Sequence, residues 1–226
     1  MGKQEEKHIL SKNTIFIDFF DTLVHRTVAP EEIKRLWAKK VSFILNSSAS
    51  TETVYYTRKA AENDLEKKYG YTYDNRQLID TVFFRLFDAG LCNMTNDTFY
   101  DKVSDIEPLI EKRLLYVDEA TKRLLYFSKE NNKQVYIISD YHLGKMVIND
   151  YLMELGIFEY VSGCYVSADY KASKFEGDLY GIVLRDLGLD ASVCVMVGDN
   201  KFSDVDQSHK NGIMGIYKPY AGNAQQ

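Results

Sequence analysis

Thr14-Ile15-Phe16-Ile17 runs straight into Asp18-Phe19-Phe20-Asp21-Thr22-Leu23. A short apolar run rich in β-branched and aromatic residues reads as a buried strand, and this one ends on a carboxylate. The pattern recurs twice downstream. Val135-Tyr136-Ile137-Ile138 meets Ser139-Asp140, and Val193-Cys194-Val195-Met196-Val197 meets Gly198-Asp199-Asn200-Lys201-Phe202-Ser203-Asp204. Between these two, Lys174 follows a weaker strand-like stretch at Tyr160–Val166. Ligands of open parallel sheets bind outside the carboxyl ends of the strands, so these ends should converge on one crevice. An aspartate nucleophile, a hydroxyl, a lysine and a carboxylate pair are the parts of a metal-assisted phosphoryl-transfer site.

From about Val117 onward, strands alternate with helical patterns. A helix is expected near Asp118–Glu130 and another at Gly144–Leu155, stopping at Gly156. A third is expected around Leu179–Leu187, and a last helix leads to Ile213-Met214-Gly215-Ile216-Tyr217. Such alternation implies right-handed crossovers and a parallel sheet covered on both faces. Arg26 to Tyr116 is different, being helical throughout by pattern. Pro30-Glu31-Glu32 reads as a first helical turn, followed by a stripe of Ile33, Leu36, Trp37, Val41, Ile44 and Leu45. Leu78, Ile79, Val82, Phe83, Leu86 and Phe87 form a second stripe, with further helices at Thr51–Lys68 and Asn96–Leu115. The expected fold is α/β: a doubly wound, Rossmann-like parallel sheet of about five strands with an inserted all-helical domain. Residues 1–25 and 117–226 would build the core, and 26–116 the insertion.

In this order the motifs resemble those of the haloacid dehalogenase superfamily of aspartate-nucleophile hydrolases, over nearly the whole chain. Asp18-Phe19-Phe20-Asp21-Thr22-Leu23 matches its first motif, Ser139 the second, Lys174 the third, and Gly198-Asp199 with Asp204 the fourth. The insertion would then be the helical (C1-type) cap of one branch. The resemblance implies that Asp18 attacks phosphorus to form an aspartyl-phosphate and that the Thr22 hydroxyl fixes the loop and supports the nucleophile. Ser139 would donate to a phosphoryl oxygen, and Lys174 would neutralise both Asp18 and the phosphoryl group. Lys171 lies one turn away; Lys174 is preferred because Ser173-Lys174-Phe175-Glu176-Gly177 leads into a helix as the family's third motif does.

Mg2+ wants oxygen ligands in near-octahedral geometry. Asp18, the backbone carbonyl of Phe20 and Asp199 would supply three, with Asp204 bound directly or through water. Gly198 would let the backbone approach, and Asn200 and Ser203 would orient the carboxylates. Phe20 departs from the phosphatase pattern, which has a second Asp there as general acid. Asp21, one residue on, should face away and serve the turn. A positioned acid contributes about 10²–10⁴-fold. Its absence predicts slow turnover of ordinary esters, a good leaving group, or an acid from the cap. An aromatic at this position also resembles the dehalogenase-like members. Asp140 is expected to face elsewhere or to cap the next helix, and His25 to be a solvated or hydrogen-bonded loop residue. Arg26 is expected either to touch substrate anions or to make a surface ion pair.

A net charge of −5 and a pI near 5.5 argue against the basic stripe of a nucleic-acid-binding protein. Cys92, Cys164 and Cys194 are unclustered and odd in number, as expected of a reducing compartment. The four histidines show no metal-ligand spacing. Met1–Glu6 is polar, Glu6 does not suit a myristoylation signal, and no run has membrane-spanning length. A cytoplasmic protein without nucleic-acid or membrane partners is expected, acting with Mg2+ on a small phosphorylated substrate. A sugar phosphate is suggested because similar hydrolases accompany surface-polysaccharide glycosyltransferases. The rival readings are a carbon–halogen hydrolase and a non-catalytic binding or regulatory module.

Overall fold

The computed structural model describes residues 8–9 and 11–220; the expectations for Met1–Glu6 lie outside them. The apolar run before Asp18 forms strand β1 (Thr14–Ile17), buried at every position. A tight turn follows, in which the Phe19 carbonyl accepts from the amides of both Leu23 and Val24. Asp21 holds that turn with a left-handed backbone (φ 59°), a conformation Asp tolerates better than most residues. The chain then enters β2 (Val24–Arg26).

Five helices follow: α1 (Pro30–Ile44), α2 (Thr51–Tyr69), α3 (Asn75–Asp88), α4 (Asn96–Val103) and α5 (Ile106–Lys112). Their starts are encoded locally. Pro30 opens α1 with Glu31 and Glu32 in its first turn, the Ser50 side chain caps α2, and Asp74 with Gln77 forms a capping box on α3. The expected single helix over Asn96–Leu115 is instead two helices and a strand. Pro108 lies in the first turn of α5, where its missing N–H costs nothing, whereas inside one long helix it would clash with the carbonyl of Ser104. The stripes on α1 and α3 close a separate core built from Ile33, Trp37, Val41, Leu78, Val82 and Phe83, among others. Leu36 and Phe87, assigned to these stripes by periodicity, are exposed.

β3 (Leu115–Val117) returns antiparallel to β2, with His25 opposite Tyr116. The helical insertion is therefore tied to the rest by a two-stranded ribbon, whose Arg26, Leu115 and Tyr116 fall within the range expected to be helical. Beyond it come α6 (Glu119–Glu130), β4 (Gln134–Ser139), α7 (Gly144–Glu154), β5 (Gly163–Val166), α8 (Ser167–Tyr170), α9 (Asp178–Leu187), β6 (Cys194–Gly198), α10 (Gln207–Lys210) and β7 (Met214–Tyr217). The strand expected from Tyr160 begins only at Gly163, because Phe158–Tyr160 forms a helical turn.

The sheet order is β5-β4-β1-β6-β7, with every neighbour parallel. Thr14 is in register with Gln134 on one side and Cys194 on the other, so β1 is central and the order reverses around it. Asp18, Ser139 and Asp199 therefore leave three adjacent strands at one edge. No helix among the described residues is long and apolar enough to cross a membrane. All three cysteines are free and buried.

Candidate active site

The carboxyl ends of β1, β4 and β6 open into a cavity of about 220 Å3, bordered by Asp18, Phe20, Ser139, Lys174, Asp199 and Asp204. Six of the seven residues expected at the site meet here. The seventh, Thr22, approaches from the side and donates its hydroxyl to Asp199 Oδ1 at 3.3 Å rather than to Asp18. Ser139 is buried at the end of β4.

The centre is a buried ionic cluster. Lys174 Nζ donates to Asp18 Oδ1 at 2.5 Å and to Asp204 Oδ1 at 2.6 Å. Lys174 is 3% exposed and Asp204 fully buried. Lys171 is turned away in a left-handed residue (φ 51°) and pairs with Asp74 at 2.7 Å. Asp204 is held from both sides, since its Oδ2 accepts from the Asn200 amide at 3.0 Å. Asp204 is fully buried, with both oxygens engaged by protein.

Gly198 makes that position possible. A Cβ there would lie 2.1 Å from Asp204 Oδ2, so the glycine makes room for a side chain of its own loop. Ser203 Oγ reaches Asp204 Oδ1 at 3.5 Å, as expected of an orienting group. The Asn200 side chain instead caps the wide turn Lys201–Asp206, accepting from Phe202 N and Ser203 N.

Asp140 was expected to turn away. It instead accepts from the amides of Lys174 (2.8 Å) and Phe175 (3.0 Å), fixing the loop that delivers the lysine. A residue directly after Ser139 in an extended chain points to the opposite face, and here that face meets the Lys174 loop. Tyr71, from the turn between α2 and α3, also borders the cavity, as does Phe175, whose ring lies 4.9 Å from that of Tyr71. No helical periodicity marks either residue.

Asp18, Asp199 and Asp204 each offer an oxygen within 4.8 Å of the others. Burial pushes Asp18 up to about 8, with Asp204 and Asp199 adding to the rise and Lys174 opposing it. Burial and Asp204 also raise Asp199, and burial raises Asp140. Burial alone would lower Lys174, but Asp18 and Asp204 hold it well above the usual lysine range. One ammonium facing three carboxylates leaves a deficit of positive charge. All three offer oxygen, the donor set a hard divalent cation prefers, so the residues present fit a metal ion.

Phe20 fills the expected position of the general acid. Its ring carries the Arg26 guanidinium 3.7 Å from its centroid and packs edge-on against Tyr141 at 4.8 Å. Arg26 also donates to Glu111 at 2.5 Å, and the Tyr141 hydroxyl bonds the other oxygen of Glu111. Arg26 is thus in a part-buried ion pair at the ribbon, with the buried Glu111, rather than in a surface one. His25 is likewise neither solvated nor in a loop. It is buried in β2 and bonded to Asp118 at 3.0 Å.

A family model for haloacid dehalogenase-like hydrolases matches residues 12–206. Solved structures of similar fold include a 2-haloacid dehalogenase from Pseudomonas syringae pv. Tomato DC3000 (15% identity, 91% of this chain and 86% of that one, TM-score 0.70). An HAD phosphatase from Thermococcus onnurineus is 19% identical over 93% of this chain and 87% of that one (TM-score 0.60). An HAD family enzyme from Bacteroides thetaiotaomicron, solved as an aspartate-to-alanine mutant with magnesium and inorganic phosphate, is 14% identical over 93% and 95% (TM-score 0.57). No curated protein matches the sequence. The match over most of its length, on a sheet and cap of this topology, makes the chain a member of the haloacid dehalogenase-like hydrolases.

Proposed function

We propose that this chain is a Mg2+-dependent hydrolase of a small phosphorylated metabolite, working through an aspartyl-phosphate on Asp18. The observation that carries the reading is the charge deficit at the strand ends, where three carboxylates share the single ammonium of Lys174. A carbon–halogen hydrolase, which releases a monoanion from a monoanionic substrate, has no use for such a deficit. A dianionic phosphoryl group approaching a carboxylate needs it filled.

Asp18, the Phe20 carbonyl and Asp199 would hold the ion, with Asp204 beside them, and the ion would offset charge on the phosphoryl oxygens. Asp18 Oδ attacks phosphorus as the P–O bond to the leaving group breaks. Water then attacks the aspartyl-phosphate, releasing phosphate and restoring the carboxylate. Lys174 keeps Asp18 oriented and neutralises a phosphoryl oxygen. Ser139 donates to another, Thr22 braces Asp199, and Asp140 holds the Lys174 loop. In this reading residues 1–25 and 117–226 act as the catalytic core and 26–116 as the cap, and the buried free thiols accord with a cytoplasmic setting.

A screen of phosphorylated metabolites with and without Mg2+ tests the proposal. Metal-dependent release of phosphate from some of them is expected; none with any ester would end it. The second reading, a dehalogenase using the same Asp18, is favoured by the aromatic Phe20. Halide release that survives chelation would establish it instead.

A further inference from the structure

The two connections that carry the helical insertion meet at one residue, Asp118. It follows β3 directly, where the chain leaves the insertion, and its side chain caps α6. Its amide donates to the Leu23 carbonyl at 2.9 Å, just before the outgoing strand β2. His25, within β2, bonds Asp118 Oδ2 at 3.0 Å. The same oxygen takes Lys218 Nζ at 3.2 Å, from the segment that follows β7. Two residues on, the Tyr220 ring lies 4.9 Å from that of His25.

Lys218 reaches the catalytic edge as well. Its amide donates to the Gly198 carbonyl at 2.8 Å, and Gly198 immediately precedes Asp199. On the other flank, Asp199 Oδ1 accepts from the Thr22 hydroxyl at 3.3 Å. The Thr22 carbonyl accepts in turn from the Thr121 hydroxyl at 3.0 Å, and the Thr121 amide donates to Asp118 Oδ1 at 2.8 Å. These contacts close a ring. One arm runs from Asp199 through Gly198 and Lys218, the other through Thr22 and Thr121, and both end on the Asp118 carboxylate.

Lys218 is 7% exposed. Burying an ammonium is costly, and such a pair often adds no more stability than packed apolar side chains would. Its use is therefore sought in what it aligns, which is the ribbon of the insertion against the loop that presents Asp199. Burial would raise the Asp118 carboxyl, but His25, Thr121 and Lys218 outweigh it and hold it below the usual carboxylate range. The partner of Lys218 thus stays ionised at neutral pH.

We propose that Lys218 is a positioning residue, which through Asp118 locks the Asp199 loop to the ribbon in the geometry that binds the metal. The inference rests on the metal-dependent reading of the Asp18 site. Groups that orient metal ligands in this way typically carry about 10–100-fold in metal affinity.

Calorimetric titration with Mg2+, without substrate, tests it. Lys218→Met keeps an unbranched stem and removes the charge, and should weaken Mg2+ binding about tenfold, the lower end of that range. Lys218→Arg restores the pair with Asp118 and should restore the affinity. Asp118→Asn, whose amide oxygen can still accept from Thr121, should match Lys218→Met. The double variant should bind no more weakly than either single one, because both cut the same arm. Should Lys218→Met not fold, Thr121→Val opens the other arm and should weaken Mg2+ by a similar factor. A lower melting temperature with unchanged Mg2+ affinity would mean that the ring supports the fold only. No rescue by arginine, or losses that add in the double variant, would mean that Lys218 does not act through Asp118. Each of these results overturns the inference and leaves the metal reading standing. If the parent chain binds no Mg2+, the metal reading falls and takes this inference with it.

Discussion

Two buried ionic clusters, one at the strand ends of the core and one among the cap helices, are made of the same kinds of side chain and tuned in opposite directions. In the core, Lys174 is shared among Asp18, Asp204 and the nearby Asp199, and burial with mutual repulsion raises Asp18 and Asp199. In the cap, Arg58 is shared by Glu62 and Glu107, with Lys34 on Glu62 and His142 on Glu107. Burial there would raise Glu107, but Arg58 and His142 outweigh it and hold the carboxyl below its ordinary value. In the cap cluster each carboxylate has cationic partners of its own, Glu62 with Arg58 and Lys34, and Glu107 with Arg58 and His142. The core cluster is short of positive charge and suits a cation with an anion behind it. Burial alone does not separate a structural cluster from a reactive one; the ratio of cations to carboxylates does.

The largest expected effect falls on the core. Asp18→Asn should lose turnover on the order of 10⁶-fold, the scale seen when an enzyme nucleophile is removed. It should also relieve repulsion, so the metal-free variant should melt no lower than the parent. Residual turnover of a folded variant above a hundredth of the parent rate would take the nucleophile role from Asp18.

Glu107→Gln should act in the opposite manner. It leaves Arg58 buried with one partner fewer, and breaking a buried pair costs about 3–5 kcal/mol. Urea unfolding should show that loss, with Mg2+ affinity intact. A change below ~1 kcal/mol, the scale of an exposed pair, would show that the cap cluster is not the closed unit inferred from its geometry.

Metal should reach only one of the two. Mg2+ at about 100 times its dissociation constant stabilises by about 2.7 kcal/mol, a rise of roughly 5–10 °C in Tm for a chain of this size. Asp199→Ala should abolish the rise, whereas Glu107→Gln should keep it. Asp204→Ala is a poorer probe, because Asp204 is fully buried and holds both Lys174 and the Asn200 amide.

The clusters should also respond oppositely to pH when a chelator is present. Glu107 titrates lower folded than unfolded, so its contribution is complete above the ordinary Glu value of about 4.3 and fades as pH falls below it. Asp18 titrates higher when folded, near 8, so its contribution is complete below the ordinary Asp value of about 3.9. That contribution is lost as pH rises toward 8. Tm measured from pH 3 to 9 should fall at both ends. Glu107→Gln should flatten the acid limb, and Asp18→Asn the alkaline one.

The core was legible because each strand carries its signal locally: an apolar run, then a polar residue at its carboxyl end. Asp18, Ser139 and Asp199 stand where such runs end, and the resemblance to the family's motifs singled them out together with Asp204. What escaped the sequence was long-range. Asp140 turns to the Lys174 loop across a separation of 34 residues, and Arg58 meets Glu107 across 49. Neither pair lies on one helix face or one strand, so no periodicity links them. The fourth cap helix was overextended because its apolar pattern runs on past Ser104, where Pro108 forbids continuity.

The smallest effect tests Phe20, which borders the core cluster and carries Arg26 on its ring. With Phe20 in place of a general acid, rates for a series of aryl phosphates should depend steeply on leaving-group pKa. Restoring the carboxylate with Phe20→Asp should change that slope little, because the Arg26 guanidinium lies 3.7 Å from the centroid of the ring it would replace. An opposite charge at such range lowers a carboxyl pKa by about 1–3 units, leaving the new group ionised at neutral pH with no proton to give. Adding Arg26→Gln to Phe20→Asp removes the clamp and should flatten the slope. The alternative donor is Tyr71, the cap residue at the mouth of the Asp18 cavity, whose phenol is raised by burial, Glu66 and Asp140 and so keeps its proton. If Tyr71 protonates the leaving oxygen, the native slope is already shallow and Tyr71→Phe steepens it. A steep native slope, unmoved by Tyr71→Phe and flattened only in the double variant, would place the missing acid at Phe20 and its suppression at Arg26.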